Sequence, residues 1–180
     1  IIFNWKGTVN QAKISFEKIE ELPETIDTFL LNLKVGKIEE VKDHPKADKL
    51  YILKVNLGSE QRQLIAGLKP HYGKEYLMDK NIVIVCNLEP AKIRGEESQG
   101  MLLAADDGVN VSLLAAPKSK PGDKVEVQGY NEGTKEIDFN EFKKINIKVK
   151  SEEVYWKGGV LRTNVENIQA KDVMDGAKVR

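Results

Sequence analysis

Cysteine is nearly absent from this chain of 180 residues, and the single one, Cys86, excludes a disulfide framework. It sits in the apolar run Val83-Ile84-Val85-Cys86 and reads as a small core residue, with a reducing cytoplasm as the expected setting. Histidine is scarce too: His44 and His71 both fall among turn-forming residues, and no His, Cys and carboxylate cluster has metal-ligand spacing. No metal or other cofactor is therefore expected. No P-loop occurs, and Gly95 and Gly100 read as glycines that permit turns or close packing. Asp106-Asp107-Gly108 reads as a hairpin turn, not as an acidic catalytic pair, and nothing in the chain calls for an enzyme. No apolar run approaches the length of a membrane span, and no signal-peptide pattern opens the chain, so no membrane partner is expected. The first residue is Ile1, not Met, which leaves the true start open. An excess of charge of either sign is also missing: 28 Lys and Arg balance 28 Asp and Glu. Any nucleic-acid binding must then come from a local patch, not a global basic field. Aromatics make up 7% of the residues. Trp5, Tyr51, Tyr72, Tyr76 and Trp156 are spread out without an interleaved basic ladder, which favours packing over stacking along a single strand.

What is present is an ordinary globular composition, 41% hydrophobic and 31% charged, long enough for one or two domains with a real core. Three sections emerge. Residues 1–31 carry Ile14, Phe16, Ile19 and Leu22 at a spacing compatible with a short helix, with Ser15 as cap and Pro23 as stop. Thr25 to Leu31 is expected to add another helical turn. Residues 32–129 read as short strands separated by Gly and Pro turns: Leu33–Val41, Leu50–Leu57, Gln63–Ala66, Ile82–Cys86, Met101–Ala105, Leu113–Ala115 and Lys124–Val127. That pattern predicts a mainly β protein built on a small closed barrel of about five strands, the OB-fold architecture. Residues 130–180 are strand-like again, with Ile145, Ile147 and Val149 alternating and a hairpin from Val154 to Leu161 closed at Gly158-Gly159. One internal echo stands out: Leu31-Asn32-Leu33-Lys34-Val35 recurs as Ile145-Asn146-Ile147-Lys148-Val149, although five residues alone do not establish a repeat.

The most informative stretch runs from Asn87 to Met101, between two apolar runs. If Lys92-Ile93-Arg94 is extended, period-two alternation puts both cations on one face and Ile93 on the other. Two cations beside amide and hydroxyl groups suit a phosphate-and-base surface. A plain solvated face explains Lys92 and Arg94 as well; Asn87 and Ser98 could satisfy backbone groups, and Met101 could be core.

Four ordered blocks carry a resemblance: Val-Gly-Lys-Ile at 35–38, His-Pro-Lys-Ala-Asp-Lys-Leu-Tyr at 44–51, Ala-Gly-Leu at 66–68, and the segment from Asn87 to Ala105. The middle section resembles the tRNA-binding OB domain family. Its members include the C-terminal domain of methionyl-tRNA synthetases, free-standing structure-specific tRNA-binding proteins and the endothelial-monocyte-activating polypeptide II group. Val154 to Thr163 is similar to the hairpin in the C-terminal appendix of that last group. There the appendix imitates a dimer interface that dimeric relatives build from a second subunit.

The resemblance implies a non-enzymatic, shape-selective tRNA binder acting as a cis or trans cofactor of an aminoacyl-tRNA synthetase. It also implies a monomer whose residues 130–180 complete its own pseudo-dimer interface. Asn87, Lys92, Arg94, Ser98 and Met101 match the tRNA-facing segment. Lys92 and Arg94 would neutralise phosphates, Asn87 and Ser98 would hydrogen-bond backbone or base edges, and Met101 would make an apolar contact. Glu96 and Glu97 depart from that role by placing acids in the loop, and Ala66 stands where many relatives have Ser. A chaperone-like or protein-interaction OB module that binds polypeptides is the alternative.

Overall fold

The computed structural model describes residues 27–180. The expected helix around Ser15 and Pro23 lies outside them. Strand β1 (Thr28–Phe29) leads into the long β2 (Leu33–Asp43), then β3 (Tyr51–Asn56), β4 (Gln61–Ala66), the single-turn helix α1 (Lys74–Leu77) and β5 (Asn81–Val85). A hairpin of β6 (Ala91–Ile93) and β7 (Glu96–Ser98) precedes β8 (Met101–Leu102), β9 (Ala104–Asp106), β10 (Val111–Leu113) and β11 (Lys124–Val127). The tail comprises β12 (Asn131–Glu132), α2 (Phe139–Lys143), β13 (Ile147–Lys150), β14 (Glu153–Trp156), β15 (Gly159–Arg162) and β16 (Lys178–Val179). The protein is mainly β, as its short alternating runs predict. No helix among the described residues is long and apolar enough to cross a membrane.

The helical turn expected over Thr25 to Leu31 is not what the described part adopts. Thr28 and Phe29 are extended and pair in parallel with Asn131 and Glu132. The reason is a period-two burial that starts earlier than Leu33: Phe29, Leu31, Leu33 and Val35 are all buried on one face, and the Phe29 ring lies 5.0 Å from Trp156.

An OB-like barrel forms because β2 is long enough to pair with two neighbours. Its second half pairs antiparallel with β3 and its first half with β5, while β3 continues to β4 and β5 to β8. The seam between β4 and the chain entering β8 closes the circuit. There Gln99 N–H donates to the Gln63 carbonyl at 2.8 Å, and Gln63 N–H donates to Gln99 Oε1 at 3.0 Å. Inward-pointing side chains fill the barrel, among them Ile38, Leu53, Val55, Leu64, Ile84 and Leu102, and Leu77 of α1 plugs one end.

A second core lies on the outside of this barrel. Leu33, Val35, Val83, Val85, Leu103 and Leu114 pack there against Ile147, Val149, Val154, Trp156, Leu161 and Ile168 of the tail. The two sets are laid out alike. Leu33 pairs with Val85 and Val35 with Val83; in the tail Ile147 pairs with Trp156 and Val149 with Val154. Ile84 pairs with Leu102 as Tyr155 pairs with Val160. Val83 N–H donates to Leu114 O as Val154 N–H donates to Ile168 O, and Gly122 N–H donates to Val35 O as Gly176 N–H donates to Val149 O. At the centre Ala115 and Gln169 exchange both backbone hydrogen bonds, at 2.9 and 3.2 Å. That reciprocal bridge marks a local pseudo-twofold relation between barrel and tail. The echo of Leu31–Val35 in Ile145–Val149 is the sequence trace of this repeated ladder.

Leu103 and Leu161 occupy equivalent positions in it, and each is fully buried. Leu103→Ala and Leu161→Ala should each cost about 2–5 kcal/mol in urea denaturation. A tail that merely leaned on the barrel would leave the Leu161→Ala variant close to the parent.

Candidate nucleic-acid interface

Between β5 and β8 the chain leaves the barrel wall at Cys86 and returns at Gly100. Gly100 is required at the return: its φ is +152°, and a Cβ there would stand 2.8 Å from the Val85 carbonyl oxygen. Arg62 clamps the two roots together, with Nη1 donating to Cys86 O at 2.8 Å and Gln99 O at 3.1 Å while Glu60 holds Nη2 at 2.9 Å. Cys86 itself is half-buried against the barrel core, and burial pushes its thiol pKa up, away from reactivity.

Asn87 is the brace of the whole segment. Its Oδ1 accepts the Asn32 N–H at 2.7 Å, and its Nδ2 donates to Leu30 O and Lys135 O, both at 2.8 Å. One amide thus ties the hairpin root to the start of β2 and to the tail. Ser98 is 4% exposed; its hydroxyl accepts the Ile65 N–H at 3.0 Å and donates to Gly100 O at 2.9 Å, adding a stitch to the barrel seam. Met101 is half-buried, pairs with Val85 and packs on the outer core.

The hairpin itself corrects one expectation. Lys92-Ile93-Arg94 is not a continuous strand. Ala91 pairs with Ser98, Lys92 with Glu97 and Ile93 with Glu96, so Arg94-Gly95 is a two-residue turn. Both turn residues have positive φ, +52° and +97°, the signature of a type I′ connection. Arg94 therefore stands at the tip and Lys92 on the arm, both exposed, instead of sharing one strand face.

His44 anchors this arm. It is 5% exposed, its Nδ1 accepts the Lys46 N–H at 3.1 Å, and its Nε2, which must then carry the proton, donates to Ile93 O at 3.2 Å. The same turn brings Lys46 beside the tip, its Nζ 3.6 Å from where a Cβ on Gly95 would sit. Lys46, Lys92 and Arg94 thus surround the tip, and none of them takes part in an ion pair among the described residues. Sequence reasoning placed His44 in a turn but found neither its reach to Ile93 nor the Arg62 clamp, because both partners lie far along the chain. No group of His, Cys, Asp and Glu suited to a metal occurs among the described residues.

The arm thus has backbone-anchored roots and exposed cations at its tip. The family model described as "Putative tRNA binding domain" matches residues 33–124, just over half of the chain. The chain belongs to this family. Methionine–tRNA ligase of Pyrococcus horikoshii is 61% identical over 110 residues, covering 61% of this chain and 15% of the ligase. Cytoplasmic tyrosine–tRNA ligase of Xenopus tropicalis is 36% identical over 167 residues, covering 86% of this chain and 32% of the ligase. The chain therefore spans about a seventh of the methionine ligase and a third of the tyrosine ligase. The C-terminal domain of Plasmodium vivax p43 superposes with a TM-score of 0.78 at 28% identity, covering 86% of this chain and 99% of that one. This last likeness includes the tail as well as the barrel.

The family segment's polar residues should separate by experiment. Ser98→Ala leaves the Ile65 N–H buried without its acceptor and should cost about 1–3 kcal/mol in urea denaturation. Arg94→Asn supplies the Asn-Gly pair that a type I′ turn prefers and should hold stability within about 0.5 kcal/mol of the parent or raise it. Equal losses in the two variants would contradict this division.

Proposed function

We infer that this chain is a non-catalytic tRNA-binding domain that reads the shape of folded tRNA and serves an aminoacyl-tRNA synthetase in the cytoplasm, in cis or in trans. The observation that carries the reading is the clamped β6–β7 hairpin, which lies inside the family match and presents Lys92 and Arg94 beside Lys46, none of them in an ion pair among the described residues. Lys92 and Arg94 contact phosphates. Asn87 and Ser98 serve the site through geometry, since their polar atoms are engaged in holding the hairpin root and the barrel seam. Met101 supports the return strand from the outer core. Contacts of this kind position a backbone and carry little sequence information, in keeping with recognition of shape. Bound beside a synthetase, such a domain raises the effective concentration of tRNA at the enzyme.

The same reading covers oligomeric state. Residues 130–180 repeat the outer ladder and bury the barrel face that a second copy would otherwise cover, which supports a monomer with a self-completed pseudo-dimer interface. The repeat is incomplete where it matters for binding. At the place equivalent to residues 86–100, the tail has only the two-residue turn Lys157-Gly158 between Trp156 and Gly159. One chain therefore carries one hairpin and takes one tRNA.

A competition assay between folded tRNA and an unstructured RNA of equal length, run across a salt series, tests the reading. Folded tRNA should win, its affinity should fall steeply with salt, and Lys92→Ala or Arg94→Asn should each reduce the salt slope by about 0.7–0.9. Salt-insensitive binding of unfolded polypeptide in place of RNA would replace this reading with the protein-interaction one. Light scattering should give the mass of one chain alone and of one chain with one tRNA in the complex; a dimer would sink the self-completed interface.

A further inference from the structure

The tail copy of the ladder differs from the barrel copy in one electrostatic respect. In each, a lysine of the central strand stands directly opposite another lysine: Lys34 opposite Lys124, and Lys148 opposite Lys178. Like charges in that position are destabilising. The barrel pair is relieved from within, because Lys124 forms ion pairs with Glu132 at 2.5 Å and with Glu126 at 3.6 Å. The tail pair is not. Lys148 and Lys178 are both exposed, and neither takes part in an ion pair among the described residues. The acid in register with Lys178 is Asp106, which is held by Arg180 and accepts the Gly108 N–H at 2.7 Å. Two lysines held in register by the backbone, with no ion pair among the described residues, are a place for an external anion.

Lys148 also lines a groove of about 710 Å³ together with Leu30, Lys144, Tyr155, Trp156 and Lys157. Of the charges around it, Lys157 is held by Asp27 at 2.6 Å. Glu141 is occupied by the capping box of α2, where it accepts the Asp138 N–H at 3.0 Å, and by Lys135 at 3.6 Å. Lys144 and Lys148 take part in no ion pair among the described residues and stand beside an aromatic wall. Leu30, which lines the groove, also gives its carbonyl to Asn87 Nδ2 at the hairpin root. Among the described residues nothing stands over the groove, since the tail makes the short turn Lys157-Gly158 where the barrel carries its hairpin.

We propose that Lys148 and Lys178, with Lys144 and the groove beside Trp156, form a second phosphate-binding surface that takes the backbone of the same tRNA the hairpin engages. The assignment of RNA as occupant follows from the positive charge of Lys144, Lys148 and Lys178, which complements a phosphate backbone, and it rests on the reading of that hairpin as an RNA-binding element. The tail then does two things at once: it covers the barrel's apolar outer face with Ile147 and Val149, and it presents cations from the alternate positions of the same strand.

The test is the salt dependence of folded-tRNA binding by the full chain in three forms: unsubstituted, Lys148→Gln/Lys178→Gln, and Lys92→Ala/Arg94→Asn. Loss of two phosphate contacts in the tail variant should lower the slope by about 1.4–1.8 and weaken binding about tenfold near physiological salt. Its urea midpoint should stay equal to the parent's or rise, because the opposed charges are gone, which separates lost contacts from lost structure. Parent-like affinity and slope in the tail variant, with both lowered in the hairpin variant, would overturn the second surface and leave the hairpin reading standing. The reverse pattern would support the tail surface and move the primary site away from the hairpin. Failure of the unsubstituted chain to bind folded tRNA would overturn both.

Discussion

The reciprocal backbone hydrogen bonds between Ala115 and Gln169 are small in energy, but the rest of the architecture is arranged about them. The OB-like barrel has apolar side chains on both sides of its wall: Ile82 and Ile84 point inward, while Val83 and Val85 point outward. A strand with both faces apolar cannot stand in water on one side. The apolar residues of the tail cover that outer face, by repeating its strand pairings across the bridge. The solution needs little new sequence, since the tail reuses the Leu-x-Leu-x-Val pattern as Ile-x-Ile-x-Val and its own Gly-x-Lys-Val turn, Gly176 to Val179, in place of Gly122 to Val125.

That arrangement also explains how a chain with no net charge can present a basic surface. Several acids are consumed near lysines elsewhere. Asp43 is held by Lys69 and Lys74, which keep its carboxyl below the usual carboxylate range, and Asp79 pairs with Lys37. Asp107 is spent on backbone N–H groups of its own turn and of Met174, which depress its pKa in turn. Among the described residues Lys46, Lys92 and Arg94 at the hairpin and Lys148 and Lys178 on the tail take part in no ion pair, as is also true of lysines elsewhere such as Lys34, Lys54 and Lys80. Local charge is what a polyanion meets, because interactions beyond about 8–10 Å are screened at physiological salt.

Much of the fold was legible because burial and periodicity agree along most strands. Tyr51, Leu53, Val55 and Leu57 alternate in the chain and are buried together, and the turn after Asp106 is the one its Asp-Asp-Gly suggests. The failures have separate physical causes. Phe29-Leu30-Leu31 follows a charged stretch that suggests a helix, yet alternation from Phe29 onward decides the outcome once Trp156 supplies a partner from the far end of the chain. Arg94 occupies a left-handed conformation that an arginine seldom adopts, so Gly95 alone signals a turn and not its type I′ geometry. The tail hairpin is misjudged by one residue for the same reason, as Lys157 takes the positive φ expected of Gly158-Gly159.

The candidate site was legible as a segment and not as a division of roles. Asn87 and Ser98 look like ligand-facing polar residues in the sequence, and only the approach of Leu30, Asn32 and Ile65 shows where their hydrogen bonds go. A polar side chain whose bonding capacity is taken up by buried backbone groups contributes to binding by fixing geometry. Its loss would be felt in the position of Lys92 and Arg94 more than in any direct contact. The same logic gives the hairpin its rigidity: two arms with few apolar contacts of their own would be mobile unless anchored. Arg62 at the roots, Asn87 below them and His44 on the arm provide three anchors from three different parts of the chain. An arm so anchored would spend less of any electrostatic attraction on ordering itself, which is the advantage preorganisation gives to a surface that carries only a few cations.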